Sequence, residues 1–315
     1  MGYLQTHGPR ADPATSLLWG LMILSLVVVL IITVLTGLGV VARRHRGHVE
    51  SIAALPVERG VAGLMWFYVG MPLTVIALIG ALAWTVVVLA AVDSPAARPR
   101  LTIEVTGHQW WWEARYLAAA PSDTFETANE LHIPTGEPVL VRLIGADVIH
   151  SFWIPALSGK TDAIPGQTNV TWLQTSRPGE YLGQCAEYCG SQHAHMALRV
   201  VAQTPDQFET WRRGQLRPAA IPAGDALLTG QTLVVTRCGA CHTIRGTEAG
   251  GVAGPDLTHL MSRETLAAGA APNDAGGLTG WIANPQALKP GSRMPATFLS
   301  GPQLIATLAY LETLK

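Results

Sequence analysis

Two long runs of uncharged, apolar residues constrain the fold of this chain more than any other feature. They cover Leu17 to Ala42 and Val61 to Val92. Each run is as long as one helix that crosses a bilayer. A buried hairpin of a soluble protein would also be apolar, but two runs of this length favour membrane-spanning helices. A secretory signal sequence is the alternative for the first run, although its length and the lack of a small-residue cleavage site favour an uncleaved helix.

The charges between the two runs predict the orientation of the chain. The segment contains Arg43-Arg44-His45-Arg46 and Arg59, and basic loops stay on the cytoplasmic side. Both ends of the chain would then lie outside the cytoplasm. We therefore expect a multi-pass membrane protein, with the rest of the chain on the outer face, which is the periplasmic side of a bacterial inner membrane.

Four potential metal ligands lie close together in the second half of the chain. Cys185, Cys189, His193 and Met196 occur within the segment C-A-E-Y-C-G-S-Q-H-A-H-M. Thiolate and thioether sulfurs are soft donors, which select copper. A mononuclear blue-copper site needs only one cysteine, whereas a second cysteine allows two sulfurs to bridge a pair of copper ions. Such a mixed-valence centre is suited to passing electrons.

Two other interpretations of these cysteines remain open on the sequence. An exported protein could join them in a small disulfide loop. A Cys2His2 zinc site is the other, with His150 or His195 completing the ligand set. Neither explains Met196, or the isolated His150 at the end of an apolar alternation typical of a strand.

The other two cysteines indicate a second prosthetic group. Cys238 and Cys241 stand in C-G-A-C-H, the attachment signature of a c-type haem, and His242 would be the proximal iron ligand. A thioredoxin-like redox motif is the alternative, but the adjoining histidine and the absence of a βαβ pattern argue against it. Met294 is the candidate sixth ligand, and Met261 competes with it from a stretch expected to be helical core.

The segment that follows the haem motif predicts a supporting hydrogen bond. In Gly254-Pro255-Asp256-Leu257, the proline carbonyl would accept the N–H of the proximal histidine and fix the orientation of its ring. Methionine and histidine ligation raises the potential of a haem, as an electron carrier at the oxidising end of a chain requires.

Several ordered blocks resemble subunit II of haem-copper cytochrome oxidases over about residues 15–205. Besides the cysteine segment they are Gly107–Trp112, Asp147–Phe152, Lys160–Gly166 and Arg177–Tyr181. Residues from about 222 to 315 resemble a class I cytochrome c.

The resemblance implies roles for individual residues. Cys185 and Cys189 would bridge the two coppers of a CuA centre, and His150 and His193 would each cap one copper. Met196 and the backbone carbonyl of Glu187 would be weak axial ligands.

Further implied roles lie outside this ligand set. The Glu187 side chain would point to a magnesium or manganese ion at the interface with subunit I. At least one ring of the run Trp110-Trp111-Trp112 is expected to be core, and by resemblance Trp110 matches the exposed tryptophan at which electrons enter subunit II. Glu58 is the candidate for a proton-entry residue, although its spacing from Trp66 departs from the family.

The domain organisation follows from these assignments. We expect a two-helix transmembrane hairpin in residues 1–95, an all-β cupredoxin-like sandwich in 96–205, a linker in 206–222 and an all-α cytochrome c domain in 223–315. Five strands are readable from alternating apolar residues between turns: Leu101–Val105, Leu131–Ile133, Val139–Ile144, Val170–Gln174 and Leu198–Val201. A last amphipathic helix is predicted from Pro302 to Leu314.

The function implied by the resemblance is that of subunit II in a caa-type cytochrome c oxidase. The chain would accept electrons at a covalent haem c and pass them to the dicopper centre. Subunit I would then reduce oxygen to water and translocate protons. The expected partners are subunit I, other oxidase subunits and an external cytochrome c or bc-type complex. The net charge of −1 provides no basic excess for a nucleic acid.

Two other functions remain open on the sequence. The chain could deliver electrons to another CuA-containing enzyme, such as a nitric oxide reductase. It could also be a membrane anchor with vestigial motifs.

Overall fold

The structure is a computed structural model that describes residues 4–45 and 61–315, of which residues 43–45 and 61–66 are described by their backbone alone. The chain forms two compact units. One is Asp12–Ser94, and the other joins residues 4–11 to Pro95–Lys315. Arg43, Arg44 and His45, expected in the loop between the apolar runs, are the last residues of the first helix, Asp12–His45. The proton-entry candidate Glu58 and the other basic residues of that segment, Arg46 and Arg59, lie outside the described residues.

The first unit consists of two long helices. They are α1, Asp12–His45, and α2, Val61–Asp93. Both are long and apolar enough to cross a membrane, and the share of each apolar window buried within the protein is only 0% and 6%. A core helix of a soluble protein would bury this surface. The helical prediction for both apolar runs is therefore confirmed, and their bare apolar surface fits lipid.

The second unit begins with a sandwich of two five-stranded sheets. The strands are β1 Leu101–His108, β2 Trp111–Leu117, β3 Phe125–Ala128, β4 Glu130–Pro134, β5 Val139–Gly145, β6 His150–Trp153, β7 Thr161–Ala163, β8 Asn169–Leu173, β9 Gly179–Cys185 and β10 Ala197–Gln203. Their orders in the two sheets are β3-β2-β1-β5-β8 and β4-β10-β9-β6-β7.

Alternation of buried and partly exposed side chains explains which strands could be predicted from the sequence. In β5, Val139, Val141 and Leu143 are fully buried, and the residues between them are not. The same period of two places Ile103 and Val105 of β1 in the core. All five predicted strands are present. Five further strands, β2, β3, β6, β7 and β9, were not predicted. Of these, β6 and β9 carry candidate metal ligands.

A short helix closes one edge of the sandwich core. This is α3, Pro205–Gln215, which begins at a capping box formed by Thr204 and Gln207. Phe208 is buried in the sandwich core, and the Trp211 ring stacks on His132 at 4.0 Å. The first part of the predicted linker 206–222 is therefore packed structure, and the irregular part is confined to residues 216–224.

A separate hydrophobic core lies in the C-terminal part of the unit. It is built around buried Val234, Leu278 and Tyr310. Its helices are α4 Asp225–Cys238, α5 Ala275–Ala283, α6 Pro285–Leu288 and α7 Gly301–Leu311. Two short strands, β11 Thr265–Leu266 and β12 Ala271–Pro272, form a small hairpin. We refer to residues 101–215 as the sandwich region and to residues 225–315 as the helical region.

Candidate metal and haem sites

The two sandwich cysteines meet in a buried pocket. Cys185 is the last residue of β9, and Cys189 lies in the loop that returns toward β10. Their sulfurs are 3.8 Å apart and both side chains are buried. A disulfide requires an S–S distance of about 2.05 Å. The thiols are free, so the disulfide interpretation does not describe this structure.

His150 approaches the same sulfurs from the neighbouring strand. It opens β6, is fully buried, and its Nδ1 lies 4.0 Å from the Cys185 sulfur. The ligand atoms of His150, Cys185 and Cys189 all lie within 4.8 Å of one another. Gly107 makes room for the imidazole, because a Cβ at that position would lie 2.8 Å from its Cδ2 atom.

Asp147 fixes the orientation of this histidine, a role that sequence reasoning did not assign. Its Oδ1 lies 2.9 Å from His150 Nε2, so that Nδ1 faces the sulfurs. The carboxylate also accepts the backbone N–H groups of Gln109 and Val148, both at 2.8 Å. A carboxylate behind a ligating histidine sets its tautomer and raises its basicity. The sequence signal was an acidic residue three positions before the histidine.

The remaining predicted ligands surround the thiol pair. His193 Nδ1 is 3.5 Å from the Cys189 sulfur, in a short 3-10 turn before β10. The fully buried Met196 places its sulfur 3.8 Å from that of Cys189. The backbone oxygen of Glu187 lies 3.3 Å from the Cys185 sulfur. All the predicted copper ligands therefore converge on one thiol pair.

The electrostatics of the pair favour a bound cation. The hydrogen bond between the two thiols lowers the pKa of Cys185, helped by His150, and this interaction raises the pKa of Cys189. One thiolate is thus favoured, while a second beside it is opposed by repulsion and burial. Burial opposes a charge on His150, but its contacts with Cys185 and Asp147 outweigh burial and raise its pKa. A metal supplies the positive charge that lets both thiols ionise.

Two other predicted features of this loop have different surroundings. His195 is exposed, and its Nδ1 lies 2.7 Å from Gln192 Oε1, as expected for a surface residue and not for a zinc ligand. The Glu187 carboxylate is half-exposed and lies 3.9 Å from Lys160 Nζ. Its predicted role beside magnesium or manganese stays a prediction.

Trp110 does not lie on the open surface that the resemblance implies. It is only 8% exposed, and its Nε1 donates to the Cys189 carbonyl at 2.9 Å. The expectation of an exposed tryptophan is therefore corrected. The helical region covers its ring, because a Cβ on Gly291 would lie 3.6 Å from the Cη2 atom of the indole. A role in electron entry stays a prediction.

The haem-type motif lies at the end of α4. Cys238 is the last residue of this helix, and the N–H groups of Cys241 and His242 both donate to its carbonyl at 3.0 Å. This turn presents Cys241 at the surface and keeps Cys238 partly buried. The two thiols and the histidine therefore belong to one compact turn, as attachment of one macrocycle requires.

The predicted support of His242 is confirmed. Its Nδ1 lies 2.7 Å from the carbonyl oxygen of Pro255, which leaves Nε2 for an iron. Gly254 lies against the ring, since a Cβ there would be 2.6 Å from Cε1 of the histidine. Burial lowers the pKa of His242, which keeps the imidazole neutral and able to bind a metal. These residues fit a haem.

The two candidate methionines have different environments. Met261 packs against the helical core from a short 3-10 turn, as expected for a core residue. Met294 lies outside that core in the extended segment between α6 and α7, and its carbonyl accepts from Gln286 Nε2 at 3.1 Å. Met294 therefore remains the candidate axial ligand.

Comparison with known proteins divides the chain as its two cores do. Residues 114–203 match the family described as the periplasmic domain of cytochrome c oxidase subunit II, and residues 227–315 match cytochrome c. Cytochrome c oxidase subunit 2 of Alkalihalophilus pseudofirmus is 40% identical over 215 residues, which are 68% of this chain and 61% of the relative. The same subunit of Bacillus sp. strain PS3 is 31% identical over 235 residues, covering 71% and 65% respectively.

A solved structure shows a similar local match. The periplasmic domain of subunit II of cytochrome oxidase from Bradyrhizobium japonicum is 33% identical, with a TM-score of 0.36 over 38% of this chain and 96% of that one. The chain spans 61% and 65% of the length of the two relatives named above. The sandwich and helical regions nevertheless match two families in the order that the motifs indicate. The chain belongs to the cytochrome c oxidase subunit II family and carries a cytochrome c domain after the subunit II domain.

Proposed function

We propose that this chain is the electron-entry subunit of a caa-type cytochrome c oxidase. The observation that carries the proposal is the convergence of four further candidate ligand groups on one buried thiol pair, in a chain that also holds a supported C-x-x-C-H motif. When bound, a dinuclear CuA centre and a covalent haem c would supply one-electron carriers between an external reductant and the oxygen-reducing subunit.

The residues of the sandwich would hold the copper pair. Cys185 and Cys189 would bridge the ions, and His150 and His193 would bind through Nδ1, the atom that faces the sulfurs in each case. Asp147 would keep the His150 ring in place. Burial of the thiols excludes water and lowers the rearrangement that a change of charge requires.

The residues of the helical region would hold the haem. Cys238 and Cys241 would form the thioether links, and His242 and Met294 would be the axial ligands. The hydrogen bond from His242 to Pro255 orients the ring and strengthens its donor atom.

The location of these sites is proposed to be the outer face of a bacterial cell membrane. The anchor would be the two apolar helices, which the protein itself leaves bare. Residues before α1 also belong to the sandwich unit, since the His7 N–H donates to the Ala156 carbonyl at 2.8 Å. This bond supports a retained N-terminal segment and argues against removal of the first helix as a signal sequence.

An exposed apolar rim beside the copper ligands supports a partner subunit. Tyr188 is 76% exposed next to His193, and Ile149 is 44% exposed next to His150. Exposed aromatic and aliphatic side chains are typical of protein interfaces. We propose that subunit I covers this rim and contributes to a magnesium or manganese site at Glu187, and that a cytochrome c or bc-type complex supplies the electrons.

The test is purification of the complex that contains this chain, followed by metal analysis and substrate consumption. The proposal expects two copper ions and one covalent haem per chain, and consumption of oxygen with a reduced donor. Consumption of nitric oxide without oxygen would assign the chain to another CuA-containing reductase. Cys185→Ser should abolish the binuclear copper spectrum and leave the haem attached, whereas Cys238→Ser should do the reverse.

A further inference from the structure

A lysine of the helical region is buried against the sandwich region. Lys289 follows α6 and is 2% exposed. Its Nζ donates to the carbonyl oxygens of Trp110, His195 and Ala267, each at 2.7 Å. An ammonium group has three N–H donors, so this cage uses all of them.

The cage joins the two regions of the unit. Trp110 lies between β1 and β2 and His195 in the loop that carries Cys189, both in the sandwich region, whereas Ala267 belongs to the helical region. Burial lowers the pKa of Lys289 to about 7. The charged form is the one that donates to all three carbonyl oxygens, through charge-assisted hydrogen bonds. Separation of the regions would take two of the three acceptors away from the ammonium.

A strained turn supplies the third acceptor. Ala267 and Ala268 have φ values of 51° and 60°, in the left-handed region that favours glycine. The first carbonyl accepts from Lys289, and the second accepts the N–H of Ala197 in β10 at 3.1 Å. Strain of this kind persists where surrounding contacts determine the backbone. Here one of the two contacts, the bond from Ala197 to Ala268, crosses from one region to the other.

The residues that follow Lys289 continue the contact. Gln192 Nε2 donates to the Pro290 carbonyl at 2.9 Å. Arg293 Nη2 lies 3.4 Å from Asp147 Oδ2, on the carboxylate that holds His150. Residues 289–293 therefore lie along the surface that surrounds the thiol pair, and they end at the candidate axial ligand Met294.

We propose that Lys289 is a positioning residue that locks the cytochrome c domain onto the copper-binding face of the sandwich, with the Met294 loop held over Trp110. The lock fixes the distance between the two sites proposed above. It also closes the Trp110 surface to an external electron-donor protein, which must then dock on the helical region. The contacts of Lys289 involve neither the copper site nor the haem site, so the proposed lock can be tested separately from the proposed cofactors.

The test is hydrogen–deuterium exchange of the full-length protein, wild type against Lys289→Met. Two amides report on the joint: Ala197 N–H, bonded to Ala268, and Glu264 N–H, bonded to the Glu130 carboxylate at 3.1 Å. We expect their exchange to accelerate at least ten-fold, while amides in β5 and α7 keep wild-type rates. Lys289→Gln retains two donors and should restore part of the protection. Lys315→Met, at an exposed lysine of the same region, is the matched control.

Two outcomes would overturn the lock. Unchanged exchange at Ala197 and Glu264 in both variants would show that other contacts hold the joint. Accelerated exchange throughout α4 and α7 would show that Lys289 serves the folding of the helical region instead. Because neither readout depends on bound copper or haem, failure of the lock is distinguishable from failure of the proposed function.

Discussion

At the scale of single residues, the proposed copper site depends on groups behind the candidate ligands as much as on the candidate ligands themselves. Asp147 contacts no sulfur, but its carboxylate forms hydrogen bonds with His150, two backbone N–H groups and Arg293. Burial opposes its charge, but the hydrogen bonds from His150, Gln109 and Val148 outweigh burial and lower its pKa. An ionised carboxylate is thereby kept beside His150, where it opposes the loss of the ligand's orientation.

Replacement of Asp147 tests this support. Asp147→Asn keeps the shape but removes the charge, and we expect copper affinity to fall by about 10–100-fold, as for other residues behind metal ligands. Competition with a copper chelator measures the effect. Asp162→Asn, on strand β7, is the control and should change the affinity less than two-fold. Equal affinities for wild type and Asp147→Asn would exclude the supporting role.

The two methionines of the helical region provide a matched pair. Met294→Leu should leave the haem covalently attached and lower its potential by on the order of a tenth of a volt, because axial ligands set haem potentials over about 0.8 V. Met261→Leu should leave the potential unchanged, since this side chain packs in the core. Redox titration of both variants provides the measurement. An unaltered potential in Met294→Leu would remove Met294 from the ligand set.

At the scale of elements, turns and loops hold the haem-type motif in place. The loop around Gly254 and Pro255 lies against the His242 ring and accepts its N–H. Its backbone is tied back to the motif, since the Gly254 N–H donates to the Cys241 carbonyl at 2.8 Å. The turn at the end of α4 therefore depends on a loop that follows it in sequence.

A methyl group at Gly254 should disturb this arrangement. The added Cβ of Gly254→Ala would lie 2.6 Å from the His242 ring, so the ring or the loop must move. We expect a loss of about 1–3 kcal/mol in the free energy of unfolding, typical of overpacking, and a smaller fraction of protein with six-coordinate haem. Chemical denaturation and absorption spectra measure the two effects. Gly250→Ala is the control, because nothing lies within 4 Å of its added Cβ.

At the scale of the whole molecule, buried polar contacts join the sandwich and helical regions. Glu130 is 6% exposed, with one oxygen 3.0 Å from His132 Nε2 and the other accepting the Glu264 N–H at 3.1 Å. Burial raises its pKa, but these hydrogen bonds outweigh burial and lower it below the ordinary value of 4.5. Other charged or titratable groups that interact with it are Arg199, Arg263 and Tyr116.

This pKa shift predicts a pH dependence of stability. A carboxyl group with a lowered pKa in the folded state contributes stability above its unfolded pKa, and loses it as the pH falls through the folded value. We expect Glu130→Gln to be less stable than wild type by about 1–3 kcal/mol at neutral pH. The difference should shrink as the pH falls below 4.5. Denaturant unfolding across that range measures it, and a difference independent of pH would contradict the ionised state of Glu130.

The sequence by itself determined the features that are local along the chain. Each apolar run is long and apolar enough to span a bilayer as one helix, and this predicted both helices. The C-x-x-C-H motif places its two thiols within one turn of the chain. The strands that alternate cleanly, such as β5, were also readable. Four of the proposed copper ligands were recognisable because they lie within twelve residues.

Only the tertiary structure decided the contacts between distant segments. His150 reaches Cys185 across 35 positions, and Lys289 reaches Trp110 across 179. Periodicity states which face of a strand is buried, but it does not state which strand pairs with it or which loop covers its end. For that reason the sequence left Trp110 open between a core position and the exposed position that the resemblance implies, whereas chain packing buries it beneath the segment that follows Lys289.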